Sequence, residues 1–290
     1  MKTSLALGAL ALAAATLTGC SSESEMRAED PAVADAGGAG DDSPAAPAGA
    51  PASVPAAEGR VATQGLVTVL DDGDGPELCL GAVAESLPPQ CGGPKITGWD
   101  WAAHEMHEQA GGVRWGSFHV TGTFDGTTFA VEEAIPAALY DTLAVPQEEP
   151  LGTPCEDTQG GAADTTKSSP EAMDATLTAA SALPGYAMAW LDGNVVNVAV
   201  TEDPTGAEAA LRETWGGPLC VSEAEHTQAE LEAIQRDLNE LPGMLSVASS
   251  APDRLEVHVV QDDGSLQEWA DETYGAGLVE VTSALVPVEG

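Results

Sequence analysis

Two histidines three residues apart, with acidic neighbours, are the one place in this chain where side chains could gather around an ion: Asp100, His104, Glu105, His107 and Glu108. On a helix His104 and His107 would share a face, with Asp100 or Glu108 as a third ligand. Zinc hydrolases space their histidines four apart in His-Glu-x-x-His, and this pattern departs from that. A wetted acidic surface carries the same residue types. An acidic run, Asp71-Asp72-Gly73-Asp74-Gly75, invites calcium. It fails the EF-hand spacing, because Pro76 or Gly73 falls where a ligand is needed, so it reads as a solvated hairpin turn. Trp99 and Trp101 alternate, and a strand there would set both rings on one face. They could stack on a sugar, but in a chain with 4% aromatic residues they read as core filling. There is no Gly-x-Ser-x-Gly elbow, no phosphate-cradling glycine loop and no basic patch. The expectation is a protein that is not an enzyme and carries no cofactor.

The cysteines have a different chemistry. Five are present, and Cys20 stands apart at the end of an export signal. Lys2 gives a positive start, and Leu5 to Leu17 is apolar and uncharged, too short to cross a hydrocarbon layer of ~30 Å. It ends in Leu17-Thr18-Gly19-Cys20, which resembles the lipobox of bacterial lipoproteins. That resemblance implies cleavage before Cys20 and diacylation of that cysteine, with fatty chains such as palmitate. Stable anchoring takes about two acyl chains, which a diacylglyceryl cysteine supplies. Location is therefore expected at the extracytoplasmic face of the cell membrane. The other four, Cys79, Cys91, Cys155 and Cys220, form an even set in an exported chain and allow three pairings. Cys79–Cys91 is favoured by its short spacing across Pro88-Pro89, and Cys155–Cys220 would follow. No Cys-x-x-Cys points to metal or redox work.

With 9 Lys and Arg against 47 Asp and Glu, the net charge is −38. Such a surface repels phosphates, which excludes nucleic acid as a partner, and keeps an exposed protein soluble. It also attracts cations and basic partners.

The elements that would position these residues fall into five stretches. Residues 1–19 are the signal peptide. Residues 20–60, rich in Ala, Pro, Gly, Ser and acid, read as a disordered tether, since they cannot bury enough surface to offset ordering. Residues 61–145 read as a β-rich domain, with strands over Val61 to Leu70 and Leu78 to Val83 and a hairpin over Trp115 to Val131. That hairpin should turn at Asp125-Gly126 through a type I′ turn. A small β-barrel or sandwich fits, an OB-like one among barrels. Residues 146–169 read as a linker. Residues 170–290 read as an α+β domain of two repeats, 170–225 and 226–290.

The repeat rests on recurring motifs. Leu183-Pro184-Gly185 returns as Leu241-Pro242-Gly243, an offset of 58. Glu213-Thr214-Trp215-Gly216 with Leu219 returns as Glu272-Thr273-Tyr274-Gly275 with Leu278, an offset of 59. The one-residue slip is expected at the turns Asp192-Gly193-Asn194 and Pro252-Asp253. Val196, Val198 and Val200 answer Leu255, Val257 and Val259. Each copy opens with a helix, capped by Ser169-Pro170 or by a Thr227–Glu230 capping box. A shorter helix follows, over Ala207 to Trp215 or Ser265 to Tyr274, ending at glycine. The order is α-β-β-α-β, twice, expected to form one antiparallel sheet with helices on one face and a shared core.

Three stretches carry a wider likeness: Cys79-Leu80-Gly81 to Pro88-Pro89-Gln90-Cys91-Gly92-Gly93, Trp215-Gly216-Gly217-Pro218-Leu219-Cys220-Val221, and Asp262-Asp263-Gly264-Ser265-Leu266-Gln267. They resemble uncharacterised exported lipoproteins of high-GC actinobacteria, over most of the chain after residue 60. The resemblance implies an address and no activity. The α-β-β-α-β unit also loosely resembles the propeptide modules of secreted serine proteases, in topology alone. The resulting expectation is a binding or adaptor module of the cell envelope, held by lipid and meeting an envelope protein partner. The alternative is a metal-binding envelope protein or metal-dependent hydrolase centred on His104 and His107.

Overall fold

Apolar and polar residues alternate around Asp125-Gly126, and the chain reverses there. Strands β6 (Val113–Phe124) and β7 (Thr128–Pro136) pair antiparallel, with Phe118, Val120, Phe124 and Phe129 buried. The reversal is not the expected type I′ turn at Asp125-Gly126: Phe124 pairs with Phe129, leaving residues 125–128 between them, and Asp125 does not take the positive φ that turn requires. Asp125 Oδ1 accepts the N–H groups of Thr127 and Thr128 and the Thr127 hydroxyl, while Gly126 takes φ +97°. An Asp that hydrogen-bonds its own following backbone makes this wider loop favourable.

This computed structural model describes residues 47–140, 150–158 and 164–288. The signal segment, Cys20, the expected tether up to residue 46 and parts of the expected linker lie outside the described residues. The protein is mixed α+β, mostly sheet with few helices. Among the described residues no helix is long and apolar enough to cross a membrane.

Strand β6 is the spine of an eight-stranded sheet. Strands β1 (Val61–Thr63) and β2 (Val67–Asp71) pair along one edge of it. The expected single run from Val61 is thus two strands. The Thr63 hydroxyl breaks it, donating to Gly65 O and accepting from Val120 N–H. Strands β3 (Glu77–Cys79), β4 (Lys95–Thr97) and β5 (Glu108–Ala110) follow. β3 stops at Cys79, short of the expected Val83. β4 joins β7 in parallel, and β3 meets β4 through the single pair Glu77–Lys95. The sheet is not a closed barrel.

Two α+β units follow. The first comprises α1 (Pro170–Ser181), β8 (Tyr186–Asp192), β9 (Val195–Val200), α2 (Pro204–Leu211) and β10 (Leu219–Glu223). The second comprises α3 (Gln228–Leu238), β11 (Met244–Ala251), β12 (Arg254–Val259), α4 (Ser265–Tyr274) and β13 (Val279–Ser283). Ser169 accepts from Ala172 N–H with Pro170 at the first position of α1, and the Thr227–Glu230 capping box is complete in both directions.

The expected shared antiparallel sheet is not what forms. Each unit has its own three-stranded sheet, in which the last strand runs parallel to its neighbour: β10 to β9, β13 to β12. A helix between two adjacent strands returns the chain to the starting end of the sheet, so the strands it joins must be parallel. The cores are likewise separate, one around Val198, Leu211 and Trp215, the other around Leu238, Val257 and Trp269. Helix α2 starts earlier than expected, capped by Asp203, and stops at Leu211. Trp215 N–H then bonds Leu211 O and the indole turns inward, 3% exposed.

Register explains the spacing. Both first strands carry an irregularity near their start, at Tyr186/Met188 and at Met244/Ser246. Strand β11 has a second, at Ser249/Ala251, which β8 lacks. The extra residue sits there as a bulge at the strand end, just before the expected turn. A further slip follows α4: Leu255 pairs with Val279, whereas Val196 pairs with Leu219. The expected match of Leu219 with Leu278 is one residue out in register.

The expected boundaries also shift. All described residues belong to one compact unit. Strand β14 (Leu285–Pro287) leaves the second unit to pair with β1, and Val260 and Leu285 are buried in the core of the large sheet. Residues 47–57, assigned to the tether, are docked. Trp269 Nε1 donates to Ala48 O, Ala57 N–H to Phe124 O, and Val54 packs on the large sheet's core. Gly243, at φ +71°, faces Val54 so closely that a Cβ there would collide with it. Part of the expected linker is docked too: Trp190 Nε1 donates to Gly152 O and the Thr153 hydroxyl to Asp192.

Candidate functional site

A helix would have set His104 and His107 on one face, and a strand Trp99 and Trp101; the chain from Trp99 to His107 forms neither. It is a series of turns, with Ala103 N–H bonded to Asp100 O and His104 N–H to Trp101 O. Asp100 Oδ1 accepts from Ala102 N–H, which starts the turning. The segment lies over the β2–β6 end of the large sheet, where its rings form a cluster. Trp99 meets Trp101 edge-on at 5.3 Å between centroids and Phe118 at 5.0 Å. His104 stacks on Trp99 at 4.1 Å, and His107 lies 5.0 Å from Trp101. Trp101 is buried and Trp99 half-buried, so both tryptophans fill the interior, though not from a strand.

Beneath the cluster lies a buried carboxylate. Asp71, at the end of β2, is 6% exposed and accepts from Trp101 Nε1 and Arg114 Nη2, both at 2.9 Å, and from Gly73 N–H. Burial pushes this carboxyl up, but the Gly73, Trp101 and Arg114 contacts outweigh it and hold it below its ordinary value. Arg114 also sits 5.5 Å from the Trp101 ring centre. The first residue of the expected solvated turn is therefore a structural anchor. The rest behaves as a hairpin turn should, with Asp72 accepting from Asp74 N–H and Gly73 and Gly75 at positive φ.

Above the cluster opens a cavity of about 440 Å³. His104, Met106, Phe118, Ala134, Pro136 and Leu139 contribute to its walls. Strands β6 and β7 supply a rigid floor and the turn segment a rim. Of the large apolar side chains left in water, Met106 (54% exposed) and Leu139 (71%) both stand here. Burial lowers the His104 pKa below its ordinary value of 6.5, with the Asp100 charge acting weakly the other way, so the cavity presents a neutral imidazole at neutral pH. Trp99 Nε1 is buried without a hydrogen-bond partner.

No family model matches the chain, and no curated protein or solved structure matches it either. The site must be read from its own chemistry.

The four residues expected to hold a metal are not gathered as ligands. His107 Nδ1 is 2.7 Å from His104 O, Glu108 enters β5, and Asp100 is engaged with the turn. Among the described residues no group of three or more His, Cys, Asp or Glu is arranged to hold an ion. The cysteines are placed as favoured: Cys79 with Cys91, Cys155 with Cys220, each at 5.7 Å between Cα atoms. Met106 went unread although it stands between the two histidines singled out. Arg114 and Leu139 carry no signal in the sequence, because the fold alone brings them to Trp101 and to the rim.

A second cavity, of about 450 Å³, lies between the large sheet and the second unit, with Leu66, Leu80, Leu245 and His258 in its walls. It lacks the exposed apolar rim of the first.

Proposed function

We propose that this chain is a lipid-anchored protein of the bacterial cell envelope whose folded part binds a ligand without transforming it, in the cavity over His104. The observation that carries this is the cavity: mostly apolar walls on a rigid sheet, one neutral imidazole inside, and two large apolar side chains held in water at its mouth. Pockets that hold small molecules have this build, with a few polar groups among apolar walls. Exposed apolar side chains concentrated at one opening point to a surface that is covered in use.

The lipobox Leu17-Thr18-Gly19-Cys20 supports the anchor and the extracytoplasmic location, and the two disulfide-distance cysteine pairs fit an oxidising compartment. We take the chain to belong with the exported actinobacterial proteins whose motifs it resembles. An OB-like plan for the large sheet is supported by β6 pairing with both β2 and β7 while β4 runs parallel to β7. Duplication of the α+β unit is supported by the repeated element order, the repeated strand-start irregularity and the parallel third strand in each. An envelope partner would meet the cavity mouth.

Two measurements test the proposal. Cys20→Ser should move the protein from the membrane fraction to the medium. Tryptophan emission should shift when envelope extract is added, and Ala103→Trp, which fills the cavity from an exposed position, should abolish the shift. A Cys20→Ser form that stays in the membrane would overturn the anchor. An extract response unaffected by Ala103→Trp would overturn the site.

A further inference from the structure

The loop after β3 is braced more firmly than its exposure calls for. Cys79, buried at the end of β3, is bonded to Cys91, so the chain between them is closed onto the large sheet. Within it Ala84 and Gln90 form an antiparallel bridge, with Ala84 N–H donating to Gln90 O at 2.8 Å. Pro88 and Pro89 fix two further φ angles. Ser86 is tied twice, its N–H to Ala84 O and its hydroxyl to Pro88 O, both at 2.8 Å. Outside this frame stand Ala84, Glu85, Ser86 and Leu87, all exposed, Leu87 at 79%. A tip that is braced yet buries nothing suits a partner that reads its shape, because a preorganised loop loses little freedom on binding.

Endopeptidase clefts take up such a segment, exposed and fixed in shape, across their catalytic groups. In this tip the bonds after Leu87 and Pro88 end on a proline nitrogen, which those enzymes cut poorly. The Glu85–Ser86 bond lies at the middle of the exposed stretch, and its two sides are held separately, Ala84 by Gln90 and Ser86 by Pro88. Cut there, the two ends stay side by side, and rejoining within a held pair competes with hydrolysis. A cleft that accepts Glu85 must be positively charged, and a net charge of −38 attracts it.

We propose that this loop inhibits an extracytoplasmic serine protease that cuts after glutamate, with Glu85 in its specificity pocket and Leu87 in contact beyond the bond. The protease's serine oxygen bonds to the Glu85 carbonyl carbon, the Glu85–Ser86 C–N bond breaks, and the serine's proton passes through the protease's histidine to the Ser86 nitrogen. The reverse steps restore the bond and the free protease. The loop shares no residue with the cavity over His104, so either site can fail without the other.

A glutamate-specific serine endopeptidase and trypsin are the probes. Incubated with the full exported protein, the first should be inhibited one-to-one and trypsin should stay active. Glu85→Ala should weaken that inhibition about tenfold or more, and Glu85→Lys should transfer it to trypsin. Position 85 is exposed, so both variants should melt like the wild type. Mass spectrometry of the complex should find the 85–86 bond intact, or cut and intact forms in a constant ratio. No inhibition, inhibition unchanged in Glu85→Ala, or rapid and complete cleavage at 85–86 would overturn the inference.

Discussion

The two α+β units share an order of elements and differ in what holds them. The first is fastened covalently: Cys220 on β10 is bonded to Cys155, and the segment around it is drawn in by Leu219 N–H to Thr158 O and Trp190 Nε1 to Gly152 O. The second has no disulfide. It is joined to the large sheet through β14, Val260, Leu245 and the docked segment 47–57 over Trp269. Similar units have thus been put to different structural uses. One carries a staple and the other shares its neighbour's core, so only the second should unfold together with the sheet that carries the cavity.

The largest break in that contrast should come from the staple. Replacing Cys155 and Cys220 by Ala opens a loop spanning 65 residues and should cost about 4 kcal/mol. Hydrogen exchange should show the loss confined to the first unit. Next, Asp71→Ala leaves the Trp101 indole and Arg114 guanidinium without their acceptor and should cost about 3 kcal/mol. Here protection should fall in the large sheet and in β12 together, and stay unchanged in β9. Equal loss in both units would mean that they are not energetically distinct.

Smaller effects sharpen the comparison. Ser169→Ala removes one cap bond from α1, whereas Thr227→Ala breaks a reciprocal box on α3. Both should cost about 1 kcal/mol, with Thr227→Ala the greater, as thermal melts of the two variants would show. Acid should act on the large sheet first. The folded pKa of His104 lies below 6.5, so its contribution is fully present above that pH and is lost as pH falls through the folded value. Asp71, lowered from 3.8, keeps its contribution until pH falls below that value. The stability difference between wild type and His104→Phe should therefore shrink between pH 7 and pH 5, read by chemical denaturation at each pH.

What was legible in the sequence was local. The caps at Ser169 and Thr227, the reversal at Asp125-Gly126 and both cysteine pairs follow from interactions between residues near in sequence or from few alternatives. What was missed depends on distant partners. Strand β14 reads as the tail of a repeat, and only its pairing with β1 makes it part of the large sheet. Segment 47–57 has the composition of a tether, and its order comes from Trp269, Gly243 and Phe124, all remote. The parallel third strands were derivable from the intervening helices and were misread because alternation alone does not report direction. At the site, the ring types and the histidine spacing were visible. Their conformation was not, because Asp100 starts a series of turns through a side-chain contact that the spacing of the rings does not report.

Hydrogen exchange of the full protein with and without extract of its own envelope tests the cavity most directly. The account predicts slower exchange over residues 101–107 and 134–139, and none of that slowing in Ala103→Trp. Protection confined to the second cavity, around Leu80 and Leu245, or no protection at all, would contradict it.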